Sequence, residues 1–236
     1  MFLNKTPLSP LTGVRLVHSF KARRLALRVD VARGEICLIV PKRMSEKRAW
    51  EFAHANVGWI QTRLSKLEKH TAIPFTHGTV IPIFGIPRTI QINHASGRVT
   101  TCVLHDEYLH VHTKRTDPAT NIKRYLYDLL DETARPLAHE KATSIGKTIT
   151  AFDLRDTKSR WGSCAPDGRI MLCWRLIFAP IHVIDYVVAH EVAHLKHMNH
   201  SERFWGLCDN LSDDMAGAKD WLKANGETLL RYGVQP

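Results

Sequence analysis

The sequence predicts an α+β fold: antiparallel β-hairpins or a meander and a long helix, followed by a helix that carries the candidate active site. Three observations predict it. Leu25, Leu27, Val29 and Val31 alternate with Ala26, Arg28 and Asp30, which is the period of a strand. Residues 78–113 hold four short runs rich in Ile, Val and Thr, separated by turn-forming residues. Residues 181–195 then set Val, Ala and Leu at helical spacing around His190-Glu191-Val192-Ala193-His194.

In chain order, residues 1–13, with Pro7, Pro10 and Gly13, read as an N-terminal tail, and 14–234 as one domain. No internal repeat, low-complexity segment or clean linker divides it. Its 14–115 half is β-rich and basic; its 116–234 half carries the candidate metal site. The turn Ala32-Arg33-Gly34-Glu35 joins the first strand to Ile36–Val40 as a hairpin. Ser45 can cap a helix running to about His70, with Trp50, Ala53, Val57, Ile60, Leu64 and Leu67 as its apolar stripe. Strands follow at Thr79–Phe84, Thr89–Asn93, Val99–Leu104 and Tyr108–Thr113, as expected of a meander. His110 and His112 share one strand face but lack a third ligand. Asp117-Pro118 opens a long helix, which Pro136 should kink and Gly146 should end. Ile149–Leu154 reads as a strand. Thr157–Cys164 and Ile170–Trp174 form a hairpin about Pro166-Asp167-Gly168. Ser201 caps a helix with Phe204, Trp205 and Leu207, and a last helix runs from about Met215 to Arg231.

Composition narrows the class. The 236 residues are 44% apolar and 24% charged, enough for a sizeable core. No apolar run nears the ~18 residues of a membrane span, and the N-terminus lacks the apolar stretch of a signal peptide. Five scattered cysteines, without a C-x-x-C pair, suit reduced thiols, so the expected location is cytoplasmic. A glycan at Asn199-His200-Ser201 would obstruct the candidate site in a secreted chain, which agrees. The net charge is +10, and residues 1–70 hold 14 Lys/Arg against 5 Asp/Glu. That half suits an anionic partner such as nucleic acid or phosphate, or forms a solvated face that keeps the chain soluble.

The chemistry concentrates in H-E-x-x-H. Four residues apart on a helix, His190 and His194 point the same way and can hold one Zn²⁺; Glu191 between them can act as general base on a metal-activated water. Unpartnered, a His-Glu-His set inside a Val/Ala/Leu run would be costly to bury. His200 is the first choice for third ligand, provided the chain turns back after His197, with Asn199 able to take a left-handed conformation. Glu202 is the alternative, and His197 reads as a surface helix residue. Asp185 or Asp209 could orient a ligand histidine. The 160–164 strand should form an edge above the metal, able to align an extended peptide through its backbone. On it, Arg160, Trp161 and Ser163 are candidate substrate-binding residues. Arg160 could instead pair structurally with an acid, and Trp161 could pack in the core. Cys164 is not expected to be a nucleophile, since an activated water already serves.

Together, Arg23–Val29, Val40-Pro41, Lys158–Cys164, Pro180, Asp185–Leu195, Asn199-His200-Ser201 and Phe204-Trp205 resemble the YgjP-like metal-dependent hydrolases, relatives of the SprT-like zinc metallopeptidases. The likeness covers about Val14 to Arg231. It departs from the commoner motif at Val192, where Leu is usual. The H-E-x-x-H-x5-H spacing also matches the metzincins, but His197 stands at their turn glycine and that label is not carried over. The resemblance implies a zincin-like core of the SprT/minigluzincin type, Zn²⁺ on His190, His194 and His200, Glu191 as the catalytic residue, and peptidase activity. It also implies an alternative, hydrolysis of UTP to the monophosphate and pyrophosphate, with Arg160 and the basic half holding phosphates. A non-catalytic nucleic-acid or protein binding module with a structural zinc is the third class. Sequence does not choose the oligomeric state.

Overall fold

In the computed structural model, which describes residues 11–30, 33–67, 72–94 and 99–233, Ile36, Leu38 and Val40 are fully buried in the central strand of a three-stranded sheet. The strand is β3 (Glu35–Pro41). It pairs antiparallel with β2 (Ala26–Asp30), as the hairpin reading expects, and parallel with β1 (Val14–Ser19), which the sequence reading did not identify. Val29, assigned to the apolar phase of β2, is 37% exposed. These strands belong to the first of two compact units, Met1–Ile73 with Val234–Pro236; the second is Pro74–Gly233.

Instead of one helix from Ser45 to about His70, the first unit has α1 (Glu46–Ala55) and α2 (Val57–Leu67). Ser45 does cap α1, accepting from the Arg48 N–H at 3.4 Å. The break is at Asn56, whose backbone leaves the helical region and whose side-chain amide donates to the Phe52 carbonyl at 2.8 Å. Asparagine competes well for such local bonds, so it ends helices. The offset leaves Val57 38% exposed, off the expected stripe, whereas Ala53 and Ile60 remain in the core with Ala49 and β3. Residues 68–70 lie outside the described residues.

The second unit opens with β4 (Val80–Ile83), β5 (Ile86–His94), β6 (Thr101–Leu104) and β7 (Tyr108–Thr113). Their order is β4-β5-β7-β6, with β5 and β7 parallel, so this is not a meander. A parallel neighbour cannot be reached by a hairpin, and local turn signals therefore could not show the pairing. The expected turn at 95–97 lies outside the described residues. Between β4 and β5 the turn is Phe84-Gly85, both at positive φ, and Pro87 sits inside β5.

Helix α3 (Ala119–Ser144) runs on through Pro136. Asp117 accepts from the Ala119 N–H at 2.9 Å. Gly146 ends the helix at φ 67°: its N–H reaches Thr143 O (3.0 Å) and the Lys147 N–H reaches Ala142 O (2.9 Å), the paired bonds of a Schellman stop. A second sheet follows, β8-β10-β9, with β8 (Ala151–Arg155) parallel and β9 (Gly162–Cys164) antiparallel to central β10 (Arg169–Cys173). A 3₁₀ turn, Trp174–Phe178, then leads to α4 (Ile181–Ala193), α5 (Glu202–Leu211) and α6 (Met215–Leu229). Every residue from Val183 to Ala189 is buried. A helix apolar all round belongs in a core, and α4 packs against α3, α5 and α6. No helix among the described residues is long and apolar enough to cross a membrane. Both units mix strands and helices, which makes the fold α+β.

Candidate metal centre

Pro180 precedes α4 and His194 closes it, still in helical conformation (φ −65°, ψ −22°). His190 and His194 therefore keep their four-residue offset, and their rings are 5.0 Å apart. Beyond His194 the helix stops: the Leu195, Lys196 and His197 amides turn onto Val192 and Ala193 carbonyls. His197 is thus in the turn, not on a helix surface. Its carbonyl lies 3.0 Å from His194 Nδ1. A donated Nδ1–H there leaves the His194 Nε2 lone pair for a metal. Asn199 does not adopt positive φ; the reversal is made by this bonded turn without a left-handed residue.

The turn delivers His200 to the helix end. His200 Nε2 is 3.2 Å from His190 Nε2, and the ligand atoms of His190, His194 and His200 lie within 4.8 Å of one another. Glu202, the alternative ligand, is exposed in the first turn of α5 and is not in this group. Ser201 accepts from the Phe204 N–H at 3.4 Å, which starts α5 directly after His200. That start places two aromatic residues to which the sequence reading gave a place in this helix and in the family resemblance but no role at the metal. Fully buried Phe204 packs on all three imidazoles at 4.5–5.0 Å between ring centres, and Trp205 stacks on His200 at 5.4 Å. The available signal was their position, four and five residues after His200.

These imidazoles fit a metal. Burial, with the neighbouring His194 and His200, lowers His190 to about 4; burial also lowers His194. Lowered values favour the neutral imidazoles that ligation requires. Nitrogens on a tetrahedral zinc stand about 3.3 Å apart, close to the 3.2 Å between His190 and His200. Imidazole sets of this kind suit zinc. Asp185 does not orient a ligand: its carboxylate takes Lys141 Nζ at 2.7 Å and the Asp213 N–H at 2.9 Å. Asp209 is exposed. His190 Nδ1 is buried and has no hydrogen-bond partner among the described residues. The strand pair His110 and His112 gains no third ligand there either.

Glu191 lies with its side chain against Gly162 of β9. It is 5% exposed, and burial raises its carboxyl to about 8 against the pull of Arg160. Gly162 makes room for it; a Cβ at that position would lie 2.6 Å from Glu191 Cγ. A cavity of about 260 Å³ opens here, lined by Arg160, Trp161, Gly162, Tyr186, His190 and Glu191 among others. Arg160 is exposed, and its charge acts on Glu191. Trp161 forms a wall and packs over Gly226 of α6. Ser163 does not line the cavity; alternation along β9 directs it opposite to Gly162. Burial raises the Cys164 thiol to about 11, with Glu191 adding to the rise, so it is not a ready nucleophile.

A helix end that gathers three imidazoles beside a buried carboxylate defines a candidate metal centre of hydrolase type. The YgjP-like metallopeptidase domain matches residues 23–225, and the chain belongs to that family. No curated protein and no solved structure matches.

Proposed function

We propose that this protein is a zinc-dependent peptidase of the H-E-x-x-H type. In this reading the second unit is zincin-like, of the SprT/minigluzincin type, with α4 as the active-site helix and β9 as the substrate-aligning edge. The observation that carries it is the convergence of His190, His194 and His200, with His190 and the adjacent Glu191 lining the cavity of about 260 Å³. His190, His194 and His200 would hold the zinc. When bound, zinc supplies a Lewis acid that polarises a carbonyl and acidifies water in the site. Glu191 accepts the proton of the attacking water on a carboxylate oxygen and returns it to the leaving amine nitrogen. The backbone of Gly162–Cys164, on the outer strand of its sheet, pairs with an extended peptide. Arg160 engages a carboxylate of that peptide, and Trp161 shields the site from water. The five free cysteines support a reducing, cytoplasmic setting.

Zinc titration of the purified chain tests the ligand set. The expected result is one tight zinc per chain and a loss of affinity of at least about 100-fold in His200→Ala, since even outer-shell changes cost 10–100-fold. Unchanged affinity in that variant would remove His200 from the centre.

A further inference from the structure

The strand register of the first unit sorts its charges to opposite ends of one sheet. Ser19 pairs with Pro41, and Ala26 with Ile39. The segments leaving β1, entering β2 and leaving β3 therefore meet at the same end. They carry Phe20, Lys21, Arg23, Arg24, Lys42 and Arg43, all exposed. The first turn of α1 continues the patch with exposed Lys47 and Arg48. One carboxylate stands among them, Glu46, and it lies 3.5 Å from His18. At the opposite end, Arg15 is neutralised by Glu35 and Asp30. Seven of the fourteen Lys/Arg of residues 1–70 (Lys21, Arg23, Arg24, Lys42, Arg43, Lys47 and Arg48) thus gather at one end.

Phe20 gives that patch a second character. It is 81% exposed, the most exposed of the large apolar residues described. Lys42 Nζ stands 4.8 Å from the ring centre. The Ala22 N–H donates to Ser19 Oγ at 3.2 Å, so the segment bearing Phe20 is a bonded turn rather than a loose strand end. An open aromatic ring set among cations is the pairing that takes an unstacked base and its flanking phosphates. A duplex offers no free base face, so the ring selects for a single strand.

We propose that this end of the first unit binds single-stranded nucleic acid, with Phe20 stacking on a base and Lys21, Arg23, Arg24, Lys42 and Arg43 neutralising phosphates. The proposal is independent of the metal centre. Fluorescence anisotropy of the full chain with labelled dT20 and rU20, over stepwise salt, tests it. Binding should weaken as salt rises, with a logarithmic slope of about −0.7 per neutralised phosphate. Lys42→Glu/Arg43→Glu should weaken binding at least about tenfold and flatten that slope. Phe20→Ala should weaken it about fivefold or more with the slope unchanged, which separates stacking from charge. Arg155→Glu, an exposed change in the second unit, should have no effect. Sedimentation with phosphatidylserine vesicles is the second arm, and no binding is expected there. Oligonucleotide binding that is absent, or equally reduced by Arg155→Glu, would overturn the proposal; so would vesicle binding without oligonucleotide binding.

Discussion

The Cα of Gly162 lies against the side chain of Glu191: a methyl group built on the glycine would stand 2.6 Å from Glu191 Cγ and 2.7 Å from Cδ. This approach ties the edge strand to α4 at the residue proposed to move the proton. Gly162→Ala should displace Glu191 while leaving the three histidines in place. The expected outcome is at least a tenfold fall in hydrolysis with zinc affinity kept, and an overpacking cost of about 1–3 kcal/mol. Activity and zinc titration of one preparation check it.

Phe204 packs on His190, His194 and His200 together, and is itself fully buried. Phe204→Ala should cost about 3–5 kcal/mol of stability and loosen all three ligands at once. Chemical denaturation with and without zinc reads both effects; a variant as stable as the parent, with equal zinc retention, would show the ring to be dispensable.

Lys141 and Asp185 form an ion pair of 2.7 Å with side chains only 12% and 7% exposed. Lys141 also donates to the Leu211 carbonyl, and Asp185 accepts from Asp213, so the pair joins α3, α4 and the connection before α6. Lys141→Met leaves a buried carboxylate unpaired and should cost about 3–5 kcal/mol. The double variant Lys141→Met/Asp185→Asn should show coupling of about 0.5–3 kcal/mol between the two sites. Strict additivity in urea unfolding would mean that the two charges do not interact.

Asp156 supplies an acid-side prediction. Burial pushes its carboxyl up, but hydrogen bonds from Lys123 and Arg175 outweigh that and leave it lowered. A lowered folded value means stability that is present above the unfolded carboxyl pKa, near 3.9, and lost as pH falls through the folded value. Because Asp156 is 41% exposed, solvent screening holds the contribution to about 1 kcal/mol. Asp156→Asn should therefore lower stability at pH 7 and flatten its decline below pH 4. An unaltered acid limb in thermal melts would contradict the assignment.

What was legible in the sequence is what is local. Ser45 and Ser201 bond the third amide ahead, Gly146 closes a Schellman stop, and the i, i+4 offset sets His190 beside His194. Each is decided within a turn or two of chain. The parallel pairs β1–β3 and β5–β7 join segments far apart in sequence, and no turn signal marks them. Asn56 broke a continuous apolar stripe through one side-chain bond to Phe52. Asp185 looked like a partner for a ligand histidine, but a lysine 44 positions earlier claims it. The need for Gly162 came only with the packing of β9 on α4, because an extended glycine carries no sign of its neighbour.

The central claim is zinc-dependent peptide hydrolysis with Glu191 moving the proton. Its most direct test is cleavage of a proteome-derived peptide library by the zinc-loaded protein and by Glu191→Gln at equal zinc content, with the new termini read by mass spectrometry. The account predicts cleavage by the parent protein and none above background by the variant. Equal cleavage by both, or no cleavage by either, would contradict it.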